Sequence, residues 1–132
     1  MQNFTAKRGV NTPDEVWFLE HEPVYTYGIK ANKDDIPENT QLPILKSDRG
    51  GKITFHGPGQ LVVYPLLDLK RRSIKPSEFI SKFQNAILIS LSDYQSNLII
   101  NNDDPGIYHE NKKLVSFGLK ITKKGTYHGA SI

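Results

Sequence analysis

Cysteine is absent from the 132 residues of the chain. A disulfide framework and a thiolate metal site are therefore excluded, and nothing in the sequence points to an oxidising compartment. The first nine residues carry charge without an apolar segment behind them, so no signal peptide is predicted. No apolar run approaches the length that spans a membrane. We therefore expect a cytoplasmic protein with no membrane association.

Charge of one sign is also scarce. Lys and Arg total 17 against 14 acidic residues, so the net charge is only +3. Nucleic-acid binders usually concentrate basic residues on one face or helix, whereas here only short clusters lie at Lys70–Arg72 and Lys123–Lys124. We predict no nucleic-acid partner, and the small excess suits a solvated surface or an acidic protein partner. The histidines, which lack the paired spacing typical of zinc ligands, are His21, His56, His109 and His128.

The apolar pattern predicts short strands around one helix. Residues 30–43 are rich in Asn, Asp and Pro and predict a long loop. Pro65 cannot donate to a strand ladder, so it implies a sheet edge or a bulge at that point. The predicted strands are Val16–Leu19, Val24–Tyr27, Leu42–Leu45, Lys52–His56, Leu61–Leu67, Asn97–Ile100, Ile107–Tyr108, Lys113–Ile121 and Thr126–His128.

The helix is predicted over Ser77–Tyr94. Pro76 fits its first position, and Glu78 lies in the first turn, where the helix dipole favours a negative charge. An apolar stripe that should pack on the sheet consists of Phe79, Phe83, Ala86, Ile87 and Leu91. We predict a single α+β domain over residues 1–132, with a mixed, mostly antiparallel sheet packed against helices.

The segment with the highest density of chemically useful residues is Arg49–Gln60. Its adjacent glycines, Gly50 and Gly51, let the backbone approach a ligand closely. Arg49 offers a planar pair of donors for a carboxylate, phosphate or carbonyl. His56 ends a strand where the chain reverses. Taken alone, a Gly-Gly turn or a histidine in a hairpin more often has a structural role than a functional one.

The run Arg49–Gln60, continued through Leu61–Leu69, resembles the signature of the octanoyltransferases of lipoate biosynthesis. The resemblance covers nearly the whole chain and implies the fold of the biotin and lipoate protein ligase catalytic domains, with no cofactor and no metal. Further segments that match in the same order are Thr12–Glu15, Leu19–Gly28, Pro105–Tyr108, Lys112–Leu114, Ser116–Leu119 and Tyr127–Gly129.

This resemblance implies an acyl transfer. Such enzymes take octanoate from the thioester of an acyl carrier protein and transfer it to a lysine of a lipoyl domain. The resemblance implies three kinds of partner: octanoyl-acyl carrier protein, the lipoyl domains of 2-oxoacid dehydrogenase complexes and the glycine cleavage H protein. It also implies a monomeric enzyme. A Cys forms the acyl-enzyme, and a Lys that lowers its pKa corresponds by motif to Lys113.

Lys113 can also be interpreted from its own position. In a strand it shares a face with Val115, Phe117, Leu119 and Ile121. An ammonium at the rim of an apolar face is partly desolvated, which would depress its pKa and suit proton transfer. The alternative is a lysine at a strand end whose stem packs on apolar surface while its ammonium reaches solvent.

The family's substrate contacts map onto three stretches. Ser116 and Gly118 should leave room on the strand face opposite Val115 and Phe117, and such a gap could admit an alkyl chain. Close packing around the glycine is the alternative. The implied substrate-binding residues are Arg49, Gly50, Gly51, Lys52, Ile53, Thr54, Phe55, His56, Ser116, Phe117, Gly118, Gly129, Ala130 and Ser131.

The sequence departs from the family in one respect that bears on the chemistry. The nucleophilic Cys of the family lies in a Pro-Cys-Gly motif after the Tyr-His-Gly segment, and the sequence ends at Ile132 before such a motif. We interpret residues 1–132 as an incomplete catalytic domain, truncated at both ends. We expect these residues alone to transfer no octanoate.

Two other functions remain open. One is an ATP-dependent lipoate or biotin protein ligase, although Gly57–Gln60 follows the transferase form and no phosphate-binding loop is visible. The other is a catalytically dead remnant that binds acyl chains or lipoyl domains without turnover, which the missing Cys favours.

Overall fold

The computed structural model describes the backbone of residues 1–132 and every side chain except that of Lys33. No helix in this described part is long and apolar enough to cross a membrane. The elements, in chain order, are α1 (Gln2–Ala6), β1 (Glu15–Leu19), β2 (Val24–Tyr27), a 3-10 turn (Lys33–Asp35), β3 (Ile44–Lys46), β4 (Ile53–His56), β5 (Val62–Leu66), α2 (Pro76–Ser92), β6 (Ile99–Asn101), β7 (Gly106–His109), β8 (Lys112–Thr122) and β9 (Gly125–Ser131).

The strands form two sheets. The larger sheet is six-stranded in the order β1-β5-β9-β8-β7-β6, and all of its pairings are antiparallel. The smaller sheet has the order β3-β2-β4, with β2 parallel to β3 and antiparallel to β4. The predicted α+β class with a mixed, mostly antiparallel sheet is therefore confirmed.

Pro65 does not put its strand at an edge. Strand β5 lies inside the larger sheet, between β1 and β9. On the β1 side Pro65 pairs with Val16, but regular pairing with β9 ends at Val63, two residues before the proline. Beyond that point the hydroxyl of Thr126 donates to the carbonyl of Pro65. The missing amide of proline is thus accommodated where the β5–β9 ladder has already ended.

Helix α2 begins at Pro76, as predicted, and ends two residues earlier than predicted. It packs on one face of the larger sheet, where Ile87 joins a fully apolar core cluster. Ala86, predicted for the buried stripe, is exposed, and Gln84 is buried instead. Gln84 can be buried because its amide donates to the side chain of Asn102 at 3.3 Å.

A bulge in β8 changes the face on which Lys113 lies. Ile107 of β7 pairs with Val115, but the next residue, Tyr108, pairs with Lys113, which leaves Leu114 without a partner. Successive pairs along a ladder point to opposite faces. Lys113 therefore lies on the face opposite Val115, and the prediction that it shares the apolar face of β8 is wrong.

The second face of the larger sheet is open to the smaller sheet and to the loop before β4. Small residues let this loop approach, because a Cβ on Gly118 would lie 3.0 Å from the carbonyl oxygen of Gly50. The amide of Gly50 donates to the carbonyl of Leu119 at 3.2 Å. The space that remains between the two sheets is the candidate functional site.

Candidate active site

A cavity of about 250 Å³ lies between the two sheets. Both sheets contribute to its lining, which combines apolar side chains such as Val24 and Val62 with hydroxyls such as Thr26 and Thr54. The lining also includes nine of the residues predicted for substrate binding: Arg49, Thr54, His56, Ser116, Phe117, Gly118, Gly129, Ala130 and Ser131. All three predicted stretches therefore meet in one place.

Within these stretches, the side chains divide between the two faces of β8 and β9. Ser116 pairs with Ser131 on the cavity face, and Gly118 pairs with Gly129 there. Phe117 and Ala130 pair with each other on the opposite face and pack in the core against α2. Ser116 and Gly118 both line the cavity. At Gly118, however, the structure has the close packing that was the alternative, because a Cβ there would lie 3.0 Å from the carbonyl oxygen of Gly50 and 3.1 Å from Cδ of Arg49.

The remaining predicted substrate contacts lie around the cavity rather than in its lining. Gly51 adopts φ +88°, which forms the turn before β4. Phe55 is 44% exposed on the outer face of the smaller sheet, 5.4 Å from the ring of Tyr25. Those outside the lining are Gly50, Gly51, Lys52, Ile53, Phe55 and the predicted catalytic Lys113.

Arg49 is the buried cation of the site. Its side chain is held by the smaller sheet, donating to the carbonyl of Thr26 at 2.7 Å, to the hydroxyl of Thr26 at 2.8 Å and to the carbonyl of Gly50 at 2.8 Å. These acceptors are all uncharged, so no carboxylate of the described residues neutralises the guanidinium. Burial lowers the pKa of Arg49, although the nearby Tyr64 acts in the opposite direction. A buried cation without a carboxylate partner favours a carbonyl or anionic ligand group.

Three of the four histidines meet in the cavity although they lie far apart in the sequence. Nε2 of His21 lies 2.8 Å from the hydroxyl of Tyr64, and the rings of His21 and His56 are 5.5 Å apart. His128 reaches the same space from β9. Sequence spacing could not show this because the residues come from three separate segments. The described residues contain no group of three or more His, Asp or Glu side chains arranged to hold a metal ion.

His56 is hydrogen-bonded at both ring nitrogens. Its Nδ1 lies 2.6 Å from Oε1 of Gln60, and its Nε2 lies 3.3 Å from the hydroxyl of Thr26. Burial lowers its pKa most, and the charges of His21 and Arg49 act in the same direction, whereas the bond to Gln60 opposes them. His56 is therefore a neutral ring at pH 7 that fixes the wall of the cavity.

Asp48 was not singled out from the sequence, yet it links three parts of the site. Its Oδ1 accepts from Nε2 of Gln2 at 2.9 Å and lies 2.8 Å from Nε2 of His128, while its Oδ2 accepts from the hydroxyl of Tyr127 at 2.5 Å. Burial acts to raise the pKa of Asp48, but these hydrogen bonds outweigh it and lower the pKa to about 2. Burial, with the bond to Asp48, raises the pKa of Tyr127 to about 12.

Lys113 does not have the depressed pKa predicted from its sequence position. Its Nζ lies 2.6 Å from Oδ1 of Asp104, and the hydroxyl of Tyr108 donates to Oδ2 of the same carboxylate at 2.6 Å. Burial alone would lower the pKa of Lys113, but the hydrogen bonds and charges of Asp104 and Tyr108 raise it above the ordinary value. The expectation of a lysine poised near neutrality is wrong because a carboxylate on the β6–β7 turn pairs with it.

Breaking the Asp104–Lys113 ion pair should change the pKa of Lys113 measurably. Replacing Asp104 by Asn removes the charged partner that favours the ammonium, so the pKa of Lys113 should fall. NMR titration of the lysine Nζ would measure it, with Asp103→Asn as the matched control. An unchanged pKa in Asp104→Asn would contradict the pairing. Folding raises the pKa of Lys113 above 10.5 and lowers that of Asp104 below 3.8, so the pair's stabilisation is complete between these two values. It is lost as the pH rises through the folded pKa of Lys113 or falls through that of Asp104.

One known protein family matches the chain along its whole length. All residues, 1–132, match the family model of the lipoyl protein ligase A/B catalytic domain. The chain belongs to this family. The resemblance to octanoyltransferases that the motif run Arg49–Gln60 predicts is confirmed, because the similar proteins carry that name.

Relatives named octanoyltransferase match nearly the whole chain. That of Nitrosomonas europaea is 44% identical over 129 residues, covering 98% of the chain and 63% of the relative. That of Laribacter hongkongensis is 44% identical over 132 residues, covering 100% and 64%. That of Coxiella burnetii is 41% identical over 132 residues, covering 100% and 54%. The chain thus spans between about half and two thirds of the length of these curated relatives.

Solved structures of the lipoyl protein ligase family have the same fold. A putative lipoate protein ligase from T. acidophilum with bound lipoic acid aligns with TM-score 0.68 and 15% identity, covering 98% of this chain and 58% of that one. A lipoate-protein ligase A bound with ATP gives TM-score 0.67 and 14% identity, covering 98% and 57%. These structures confirm the expected ligase-like fold. With sequence identities of 14–15%, the likeness extends to the fold alone.

Proposed function

We propose that this chain forms the acyl-binding part of an octanoyltransferase. The full reaction moves an octanoyl group from the thioester of an acyl carrier protein to the ε-amine of a lysine on a lipoyl domain. The observation that carries the proposal is the cavity between the sheets, into which the octanoyltransferase-like motifs from three separate segments bring Arg49, Ser116 and Ser131. The proposed acceptors are the lipoyl domains of 2-oxoacid dehydrogenase complexes and of the glycine cleavage H protein.

The cavity suits a medium-length acyl group. Its volume of about 250 Å³ lies just below the range of about 300–1,000 Å³ that is typical of drug-sized ligands. Apolar wall residues such as Val24, Leu45 and Val62 can hold an alkyl chain. The acyl carbonyl is the part of the ligand that a buried guanidinium such as that of Arg49 can bind.

In the proposed function Lys113 acts as a positive charge and not as a proton acceptor. Held as an ammonium by Asp104, it can stabilise a thiolate by its charge but does not readily accept a proton. The thiolate in question is that of the family's Cys, which this sequence lacks. We propose a cytoplasmic, monomeric enzyme without metal or cofactor.

Two alternatives compete with this function. The first is a protein that binds acyl groups or lipoyl domains without turnover, which the apolar walls of the cavity would also serve. An ATP-dependent ligase is favoured by the fold, which a lipoate-protein ligase A bound with ATP shares. The two alternatives differ in their ligand: the non-catalytic protein would bind an acyl group, whereas the ligase would bind ATP.

Competition binding separates these functions. We expect S-octanoyl-pantetheine to bind the chain and ATP not to displace it, as followed by calorimetry. Mass spectrometry after incubation with octanoyl-acyl carrier protein and a lipoyl domain should show no octanoyl group on the Cys-free chain. ATP binding with formation of an acyl-adenylate would establish the ligase. An octanoyl adduct on the chain that passes to the lipoyl domain would contradict the requirement for Cys.

A further inference from the structure

The hydrogen bonds of the cavity histidines distinguish one from the others. His56 is bonded at both ring nitrogens, which leaves neither free for a ligand. His21 is bonded at Nε2 by the hydroxyl of Tyr64, a neutral partner. Among the three, His128 is the one paired with a carboxylate, through Nε2 and Oδ1 of Asp48 at 2.8 Å. A carboxylate behind the ring is the arrangement that orients a general base.

The second nitrogen of His128 is open. Nδ1 of His128 has no hydrogen-bond partner among the described residues, whose contacts to this ring are all at Nε2. The described side chains include one polar atom that is both fully buried and unpartnered, Nε of Arg8. Nδ1 is therefore accessible, and the ring to which it belongs lines the cavity. The residue as a whole is 6% exposed, so what reaches this nitrogen has to come from the cavity that the ring lines.

The tautomer of His128 follows from the chemistry of Asp48. An ionised carboxylate only accepts hydrogen bonds, so Nε2 must carry the proton and Nδ1 must carry the lone pair. The groups that face the ring are Asp48, the hydroxyls of Tyr64 and Tyr127, Arg49, His56 and the amino group of Met1. Burial most strongly lowers the pKa of His128, Arg49 and the amino terminus add to this, and Asp48 opposes it. At pH 7 the ring is therefore neutral.

We propose that His128 is the proton acceptor for the incoming amine and that Asp48 is the positioning residue that holds its Nδ1 lone pair toward the cavity. This rests on the proposed function. The amine nitrogen attacks the carbonyl carbon of an octanoyl thioester, a C–N bond forms and the C–S bond breaks. The sulfur leaves with the bonding electron pair. The proton of the amine passes to Nδ1 of His128 and from there to the departing thiolate.

This assignment divides the chemistry between two basic residues. Lys113 lies outside the cavity lining and carries its proton in a salt bridge with Asp104. His128 lines the cavity and has no such charge. A neutral imidazole at the site can accept the proton that a salt-bridged ammonium cannot.

Two measurements on the chain itself test the proposal. Long-range ¹⁵N–¹H NMR of wild-type protein should show His128 as the Nε2–H tautomer with an unprotonated Nδ1. The second probe is an activated ester that needs no Cys, octanoyl p-nitrophenyl ester, with methylamine as the amine. His128→Asn should lower its rate of aminolysis at least about ten-fold, and Asn is suited to the φ of +57° at this position.

The variants separate a positioning role from a structural one. Asp48→Asn should leave the fold intact by circular dichroism but lose the fixed tautomer and at least about three-fold of the rate. His109→Asn, on β7 outside the cavity, should match wild type. An Nδ1–H tautomer in wild type, or a rate unchanged in His128→Asn, would overturn the assignment. A His128-dependent rate that octanamide fails to inhibit would instead contradict the acyl cavity and leave the base in place.

Discussion

Replacing Gly129 by Ala is expected to lower the stability of the folded protein strongly. A Cβ at this position would lie well inside van der Waals contact with the carbonyl oxygen of Val63 and 2.8 Å from Cδ of Pro65. Both obstacles belong to β5, in the middle of the larger sheet, so the backbone cannot yield without breaking the pairing of β5 with β9. We expect a loss of more than about 3 kcal/mol in the free energy of unfolding.

Thermal unfolding followed by circular dichroism measures this effect. A loss of this size corresponds to a fall in Tm of about 10 °C or more for a domain of this length. The matched control is Gly9→Ala, whose Cβ would meet nothing nearer than Oγ1 of Thr12 at 4.0 Å, and which should change stability by less than about 0.5 kcal/mol. A Gly129→Ala protein as stable as this control would refute the close packing of β5 on β9.

Arg49→Lys is expected to give the largest functional loss among single substitutions in the cavity. Lysine keeps the positive charge but cannot reproduce the planar donor arrangement that bonds both the carbonyl and the hydroxyl of Thr26 and the carbonyl of Gly50. Acceptors left without a donor, together with a buried ammonium, should cost about 3 kcal/mol of stability. The affinity for octanamide should fall more than ten-fold, since the carbonyl-binding group moves.

Chemical denaturation and calorimetric titration on the same variant separate the two losses. The control is Arg72→Lys, in which the replaced side chain is half-exposed and the carboxylate of Asp14 keeps its other partners, Arg8 and Arg71. The expected change is below about 1 kcal/mol. Wild-type affinity for octanamide in a folded Arg49→Lys protein would show that the guanidinium does not contact the ligand.

The sequence alone predicts where most of the strands lie along the chain but little of what surrounds each side chain. Strand β2 occurs at its predicted bounds, Val24–Tyr27, because apolar and aromatic residues are bounded there by Pro23 and Gly28. Helix α2 begins at the predicted Pro76 because proline fixes the backbone angle of a first helical residue. Local rules of this kind depend on few neighbours, which is why they transfer from sequence.

The site residues were predictable in part, and the errors have physical causes. The bulge at Leu114 moves Lys113 to the other face of β8, and a register shift of this kind leaves no mark in the alternation of apolar residues. Asp104, which raises the pKa of Lys113, lies nine positions away on another strand's turn. Asp48 and His128 lie 80 positions apart. Contacts across such distances are set by the packing of the sheets, which sequence periodicity does not encode.

The most direct test of the account is an NMR titration of ¹⁵N-labelled protein with octanamide. We expect saturable binding with chemical-shift changes at the cavity residues Gly118, His128 and Ser131 and none at Ile89 on the exposed side of α2. Binding that shifts the outer face of the smaller sheet around Phe55, or no binding at millimolar octanamide, would contradict the claim that this cavity holds the acyl chain.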